Sequence, residues 1–255
     1  MIIITRPSPY GESLMALCQA KGFVAQHLPL FNITAAIDAK TLQNHLNTLK
    51  ADDVVIVTSS QVIEMINQYQ TTIKFPPHIR YCAVGKQTAT RFSLLTQQIV
   101  ESPSTDESSE GLFEFLTMQP RPLLRQKILI LCGTNGRTLL KDRLSLLVTN
   151  VENIYIYHKD RIIHPITVLD DYIDTLSNIN ILVVTSVAHL LEIEKYCFEK
   201  QKQQLILIVS SMRIKQFAKT LGWNKIHLAQ NANNQNLLSA ISTLHHNVTM
   251  ANSLG

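Results

Sequence analysis

Residues able to hold a carboxylate recur along this chain at one kind of place. Arg6, Arg137 and Arg213 each stand a few positions beyond a short apolar run, IIIT, ILILC and LILIV in turn. A guanidinium there can grip a carboxylate through two parallel N–H donors. Ser59 and Ser60 follow VVIVT, Gly85 and Thr88 follow YCAV, Gly133 follows ILILC, and Ser186 follows ILVVT. Small hydroxyls and glycines in such positions present backbone N–H groups and the positive end of a helix dipole, which together hold anions. The same Ser and Thr residues are also ordinary helix caps, and an arginine there is equally a solvated surface charge, so each loop by itself leaves both readings open. The remaining candidate is a phenol. Tyr157 closes the alternating run VENIYIY and, by period two, shares a strand face with Tyr155, either as a packed aromatic or as a hydrogen-bond donor.

Several other chemistries lack their motifs. GTNGR, Gly133 to Arg137, has no Lys-Ser/Thr pair, and no GxGxxG follows a strand, so nucleotide binding has little support. Ser59, Ser60 and Ser186 stand in no GxSxG elbow, which removes the usual sign of a serine nucleophile. The nine histidines contain no HxH or HExxH, so no metal site is expected. Cys18, Cys82, Cys132 and Cys197 lie far apart with no CxxC, the usage of buried reduced thiols in a cytoplasmic protein.

The net charge is +4, from 23 Lys and Arg against 19 Asp and Glu. The cations are scattered rather than run together, which favours a small acidic ligand over a nucleic-acid backbone. With 45% hydrophobic and 16% charged residues the composition is that of a globular protein. No apolar stretch reaches the roughly 18 residues of a membrane span, and the start, MIIIT, does not read as a signal peptide.

The elements that must position these groups alternate along the chain. Apolar runs predict strands at Ile2–Thr5, Val24–Leu30, Val54–Thr58, Tyr81–Val84, Ile128–Cys132, Ile181–Thr185, Leu205–Val209 and Lys225–Leu228. Between them, apolar residues at helical spacing predict helices carrying Leu14, Leu17 and Cys18, then Leu42, Leu46 and Leu49, and so on, including one around Tyr172 and Leu176 and a last one with Leu237, Leu238, Ile241 and Leu244. The tail HNVTMANSLG reads as frayed. The fold class is α/β with two doubly wound parallel sheets, in which ligands sit beyond the carboxyl ends of the strands.

The chain also reads as two similar halves. Ile2–Thr5 stands at the same offset from Leu129–Cys132 as Val55–Ser59 does from Leu182–Ser186, and that offset also places Leu30 against Tyr157. Val151–Arg161 runs on without a Gly or Pro turn and is expected to leave its sheet, and FNITAAIDA is the other candidate linker.

Taken together in order, the loops carry more than any one of them. ITRP at Ile4–Pro7, Pro29-Leu30, VTSSQVI at Val57–Ile63, AVGKQTA at Ala83–Ala89, the GxxGR of Gly133–Arg137, Tyr157 at its strand end, VTS at Val184–Ser186, and SxR at Ser211–Arg213 followed by LGW make an ordered set. That set resembles the uroporphyrinogen-III synthase family over nearly the whole chain. The resemblance departs at the second serine of VTSSQVI, at Val62, and at Ser210-Ser211-Met212, where an acidic residue is more usual before the arginine.

The resemblance implies two flavodoxin-like domains joined by two extended linker strands. Residues 1–34 with 163–255 would form one domain and 37–157 the other, with linkers at 31–36 and 158–163 and the substrate in the cleft between. It implies cyclisation of linear hydroxymethylbilane to uroporphyrinogen III, with loss of water and inversion of the last pyrrole ring through a spiro intermediate. Tyr157 would assist departure of the hydroxyl, and Arg6, Ser59, Ser60, Gly85, Thr88, Gly133, Arg137, Ser186 and Arg213 would bind the substrate's carboxylates. No cofactor, metal, nucleic acid or membrane is implied, and the expected enzyme is a cytoplasmic monomer. The competing reading is a noncatalytic two-domain module binding a small anion; an FMN carrier lacks its hydroxyl-rich phosphate cradle after the first strand.

Overall fold

The computed structural model describes residues 1–70, 72–118, 126–134, 138–174 and 179–253. The chain forms two compact units, Met1–Asn32 with Asp160–Gly255, and Ile33–Lys159.

In the first unit the strands are β1 (Ile2–Ile4), β2 (Ala25–His27), β9 (Asn180–Val184), β10 (Leu205–Val209) and β11 (Ile226–Leu228). They pair in parallel in the order β11-β10-β9-β1-β2. Helix α1 (Tyr10–Ala20) joins β1 to β2, and α7 (Val168–Tyr172), α8 (Val187–Ile193), α9 (Glu199–Gln204), α10 (Met212–Thr220) and α11 (Asn234–Ser253) complete the unit. Every βαβ crossover needs helices on the faces of the sheet, so the strands are apolar on both sides and read as continuous runs. On one face Ile2, Ile4, Ile181, Val183 and Ile208 pack with Leu14 and Cys18 of α1 and Leu237 and Ile241 of α11. Helices α1 and α10 both stop at a glycine of positive φ, Gly22 at 81° and Gly222 at 86°. The residue after each glycine donates its N–H back to the helix, Phe23 to the Cys18 carbonyl and Trp223 to that of Ala218, the bond of a left-handed helix stop.

In the second unit β3 (Phe31–Ala35), β4 (Val54–Val57), β5 (Arg80–Ala83), β6 (Val100–Glu101), β7 (Ile128–Gly133) and β8 (Val151–Arg161) lie in the order β3-β8-β7-β4-β5-β6. Helices α2 (Ala39–Asn47), α3 (Ser60–Asn67), α4 (Lys86–Thr96), α5 (Ser109–Thr117) and α6 (Leu139–Ser145) flank this sheet. Alternate strand residues go to opposite faces. Val55, Val57, Leu129, Leu131, Ile154 and Ile156 pack with Leu42, Leu46, Ile63, Ile66 and Phe92, while Val54, Ile56, Ile128 and Ile130 pack with Leu112, Leu116, Leu140 and Leu144. Each such aliphatic side chain contributes about 1.5–3 kcal/mol when fully buried.

The two sheets are built alike from exchanged parts. With β3 set aside, β8-β7-β4-β5-β6 matches β2-β1-β9-β10-β11 position by position, the order of flavodoxin-like sheets. The repeated halves of the sequence therefore trade partners: β1 and β2 sit with β9, β10 and β11, and β7 and β8 sit with β4, β5 and β6. The chain passes between units within β3 and again within β8, and these two strands are neighbours in the second sheet.

The structure departs from the sequence reading at several places. The strand expected over Val24–Leu30 ends at His27, because Pro29 has no N–H to continue a ladder; FNITA of the supposed linker is itself a strand. The polar helix α9, EKQKQQ, has no apolar period to announce it. The tail expected to fray continues α11 to Ser253, since neither Gly nor Pro interrupts it. The equal facing of Tyr155 and Tyr157 fails at a break in the β7–β8 register, taken up below. Leu176, expected in a helix with Tyr172, lies outside the described residues.

Candidate active site

In sheets of this order, ligands bind where neighbouring strands send their connections to opposite sides. In the second unit that point falls between β7 and β4, whose carboxyl ends lead to Gly133 and to Ser59.

Ser59 stands at the N-cap of α3 with extended backbone, yet its side chain makes no cap bond. Its hydroxyl instead lies 3.4 Å from the phenol oxygen of Tyr157. The next residue, Ser60, points its hydroxyl 3.4 Å from that of Thr88 on α4. One turn further along, Glu64 pairs with Arg91 at 2.9 Å, so α3 and α4 are tied by two polar contacts. Gly85 is the N-cap of α4, and a Cβ there would run into the Glu107 side chain. Gly133 ends β7 opposite Tyr157, and the N–H of Thr134 donates to the Tyr157 carbonyl at 2.9 Å.

Tyr157 itself is partly buried against the cluster of Val57, Leu131, Ile154 and Ile156. Burial holds its phenol above the ordinary tyrosine value, with Cys132 and Glu64 adding to the rise, while the Ser59 hydroxyl pulls the other way. The group is therefore neutral at physiological pH and able to donate a hydrogen bond. Cys132, at the end of the neighbouring strand, is pushed up by burial to about 11.

The corresponding point of the first unit lies between β1 and β9. Thr5 is buried and donates its hydroxyl to the Val183 carbonyl at 2.8 Å. Arg6 donates to the Asn234 side chain, and its guanidinium lies 5.3 Å from the centre of the Tyr10 ring. Ser186 caps α8, accepting from the N–H of His189 at 3.1 Å, and its own O–H remains able to donate. Arg213 is exposed in the first turn of α10, beside the capping Ser211.

The structure thus brings Ser59, Ser60, Gly85, Thr88, Gly133 and Tyr157 to the carboxyl edge of the second sheet, and Arg6, Ser186 and Arg213 to that of the first. Arg137 lies outside the described residues. Sequence reasoning passed over Glu64 and Arg91, although each stands one helical turn beyond a chosen residue, Ser60 and Thr88. It also passed over Glu107, whose approach to Gly85 leaves no trace in local sequence.

Among the described residues, no group of three or more His, Cys, Asp or Glu could hold a metal ion, and no helix is long and apolar enough to cross a membrane. The four cysteines are buried and unpaired.

Comparison with known proteins gives one family by sequence and a shared fold by structure. The sequence profile described as uroporphyrinogen-III synthase HemD matches residues 12–239. A uroporphyrinogen-III synthase of Salmonella typhimurium is 30% identical over 246 residues, spanning 94% of this chain and 99% of that protein. One from Escherichia coli K12 is 28% identical over the same shares. Among solved structures, a mutant uroporphyrinogen III synthase from the extremely thermophilic bacterium Thermus thermophilus aligns with a TM-score of 0.66 at 12% identity, covering 98% of each chain, a likeness of fold.

Proposed function

The chain belongs to the uroporphyrinogen-III synthase family, and from that premise we propose that Tyr157, held by Ser59, assists the loss of the substrate's hydroxyl. The activity is that of a hydro-lyase of tetrapyrrole biosynthesis, closing hydroxymethylbilane to uroporphyrinogen III. Family membership sets aside a noncatalytic anion-binding module.

The observation that carries the reading is the Tyr157 phenol beside the uncommitted Ser59 hydroxyl, at the point of the second sheet where such folds bind ligands. Departure of a hydroxyl as water needs a proton at the leaving oxygen, and a neutral phenol can deliver one or share it. The pyrroles supply the nucleophile and stabilise the resulting cation, so the protein's larger task is to hold the chain of rings in a closing geometry. Acetate and propionate groups explain the surroundings. Backbone N–H groups at the starts of α3 and α4, the Ser60 and Thr88 hydroxyls, and Arg6, Ser186 and Arg213 are suited to carboxylates. Arg137 is assigned to the same role from its GxxGR motif, while Gly85 and Gly133 leave the room that the Glu107 and Tyr157 side chains occupy. The reading has one chain working alone in the cytoplasm, in accord with its unpaired buried thiols, and without a metal or other cofactor.

The direct test is incubation of the purified protein with hydroxymethylbilane and separation of the products. Type III porphyrinogen in excess supports the assignment. Only the uninverted type I product, which forms without an enzyme, would overturn it.

A further inference from the structure

We infer that Gly133, together with the extra residue carried by β8 opposite the Cys132–Gly133 junction, is a positioning residue that seats the Tyr157 ring. Up to Cys132 the two strands run in step, Leu131 opposite Ile154 and Cys132 opposite Tyr155; then Gly133 pairs with Tyr157, skipping Ile156. Such a bulge turns the following side chain to the other face. Its consequence is visible in burial: Tyr155 is 43% exposed, whereas Ile154, Ile156 and Tyr157 all pack into the same cluster. In an unbroken ladder Tyr157 would follow Tyr155.

Turning the ring inward places it against the end of β7, and Gly133 is the residue it meets. A Cβ at 133 would overlap the Cε2 and Cζ atoms of the ring. Gly133 has no positive φ, so alanine can adopt its backbone conformation and the requirement for glycine is one of space alone. The free side of the same ring then brings its hydroxyl to Ser59. Gly133 thereby acts on the reaction through Tyr157, and this inference rests, for its catalytic part, on the role proposed for that phenol.

Two cycles of variants separate the parts. In the first, the rate of type III formation is measured for Gly133→Ala, Tyr157→Phe and the pair. Gly133→Ala should lower kcat at least about tenfold with KM changed less than about threefold. Added to Tyr157→Phe, it should slow that variant by less than about twofold, since the donor it displaces is already absent. Losses that multiply in full would overturn the positioning role. In the second cycle thermal midpoints are compared. Gly133→Ala should lower the midpoint when Tyr157 is present and leave it unchanged in Tyr157→Ala, where the ring is gone. An equal fall in both backgrounds would overturn the seating itself. Should Gly133→Ala fail to fold, Gly133→Ala with Tyr157→Ala must fold, and failure there would also overturn it. If Tyr157→Phe leaves turnover unchanged, the proton-donor reading fails by itself, and the midpoints still decide the seating.

Discussion

The Tyr157 phenol, carried within β8, and the Ser59 hydroxyl, just beyond the end of β4, are 98 positions apart in sequence and stand 3.4 Å from one another. Ser59 is not drawn away by the usual local partner, for it makes no side-chain cap bond to its own helix. Ser59→Ala should therefore slow type III formation by roughly two- to tenfold, the worth of one neutral hydrogen bond. Stability should hold. Ser108, by contrast, caps α5 by accepting from the Gly111 N–H at 3.0 Å, so Ser108→Ala should cost about 1 kcal/mol in urea unfolding with turnover unchanged. A Ser59→Ala chain that loses stability like Ser108→Ala, at full turnover, would return Ser59 to the status of a cap.

A second prediction concerns the far edge of the same sheet. The Arg80 side chain is only 7% exposed and meets Glu101 through two bonds, at 3.2 and 2.8 Å. Glu101→Ala would strand a buried guanidinium, and chemical denaturation should report a loss of about 3 kcal/mol. Replacing both partners by apolar residues should recover most of it. A midpoint unmoved by Glu101→Ala would show that water reaches Arg80.

Alkaline pH gives a third. Burial raises the Cys18 and Cys132 thiols to about 11, and Cys82 and Cys197 to about 12. Thiols in an unfolded chain titrate near about 8.5. The folded chain thus keeps protons that the unfolded chain gives up, and the stability these groups contribute is full below about pH 8.5 and is lost as pH climbs through about 11 to 12. Thermal midpoints should be level from neutral pH to about 8.5 and then fall. A midpoint rising across that window would contradict the burial of the thiols.

Much of this was legible in the sequence because it rests on local pattern. Apolar runs such as VVIV and ILVV mark strands that are buried on both faces, and the equal offsets between the halves pointed to duplication, whereas the exchange of partners followed only from the family resemblance. Ser59 was legible as a cap or an anion holder, but its reach to Tyr157 was not, since that contact spans 98 positions. What escaped depends on contacts distant in sequence. Period two put Tyr157 beside Tyr155, and nothing in VENIYIY announces that β8 slips by one residue against β7. Glu107 approaches Gly85 across a loop, and α9 is tied down by buried Gln201, whose amide donates to Asp170 at 2.9 Å, rather than by an apolar stripe.

The central claim is that the Tyr157 hydroxyl, placed by its strand and by Ser59, helps the substrate's hydroxyl to leave. The most direct measurement is the isomer ratio and rate given by Tyr157→Phe acting on hydroxymethylbilane. The variant keeps the ring and its packing and removes only the donor, so the fold should lose no more than about 1 kcal/mol. Type III formation should slow, by at most the roughly 100- to 10,000-fold of general acid catalysis, and uncatalysed type I product should accumulate from the same substrate. Unchanged turnover with an unchanged ratio of type III to type I would contradict the account, leaving Tyr157 a packed strand residue and the reaction to binding geometry alone.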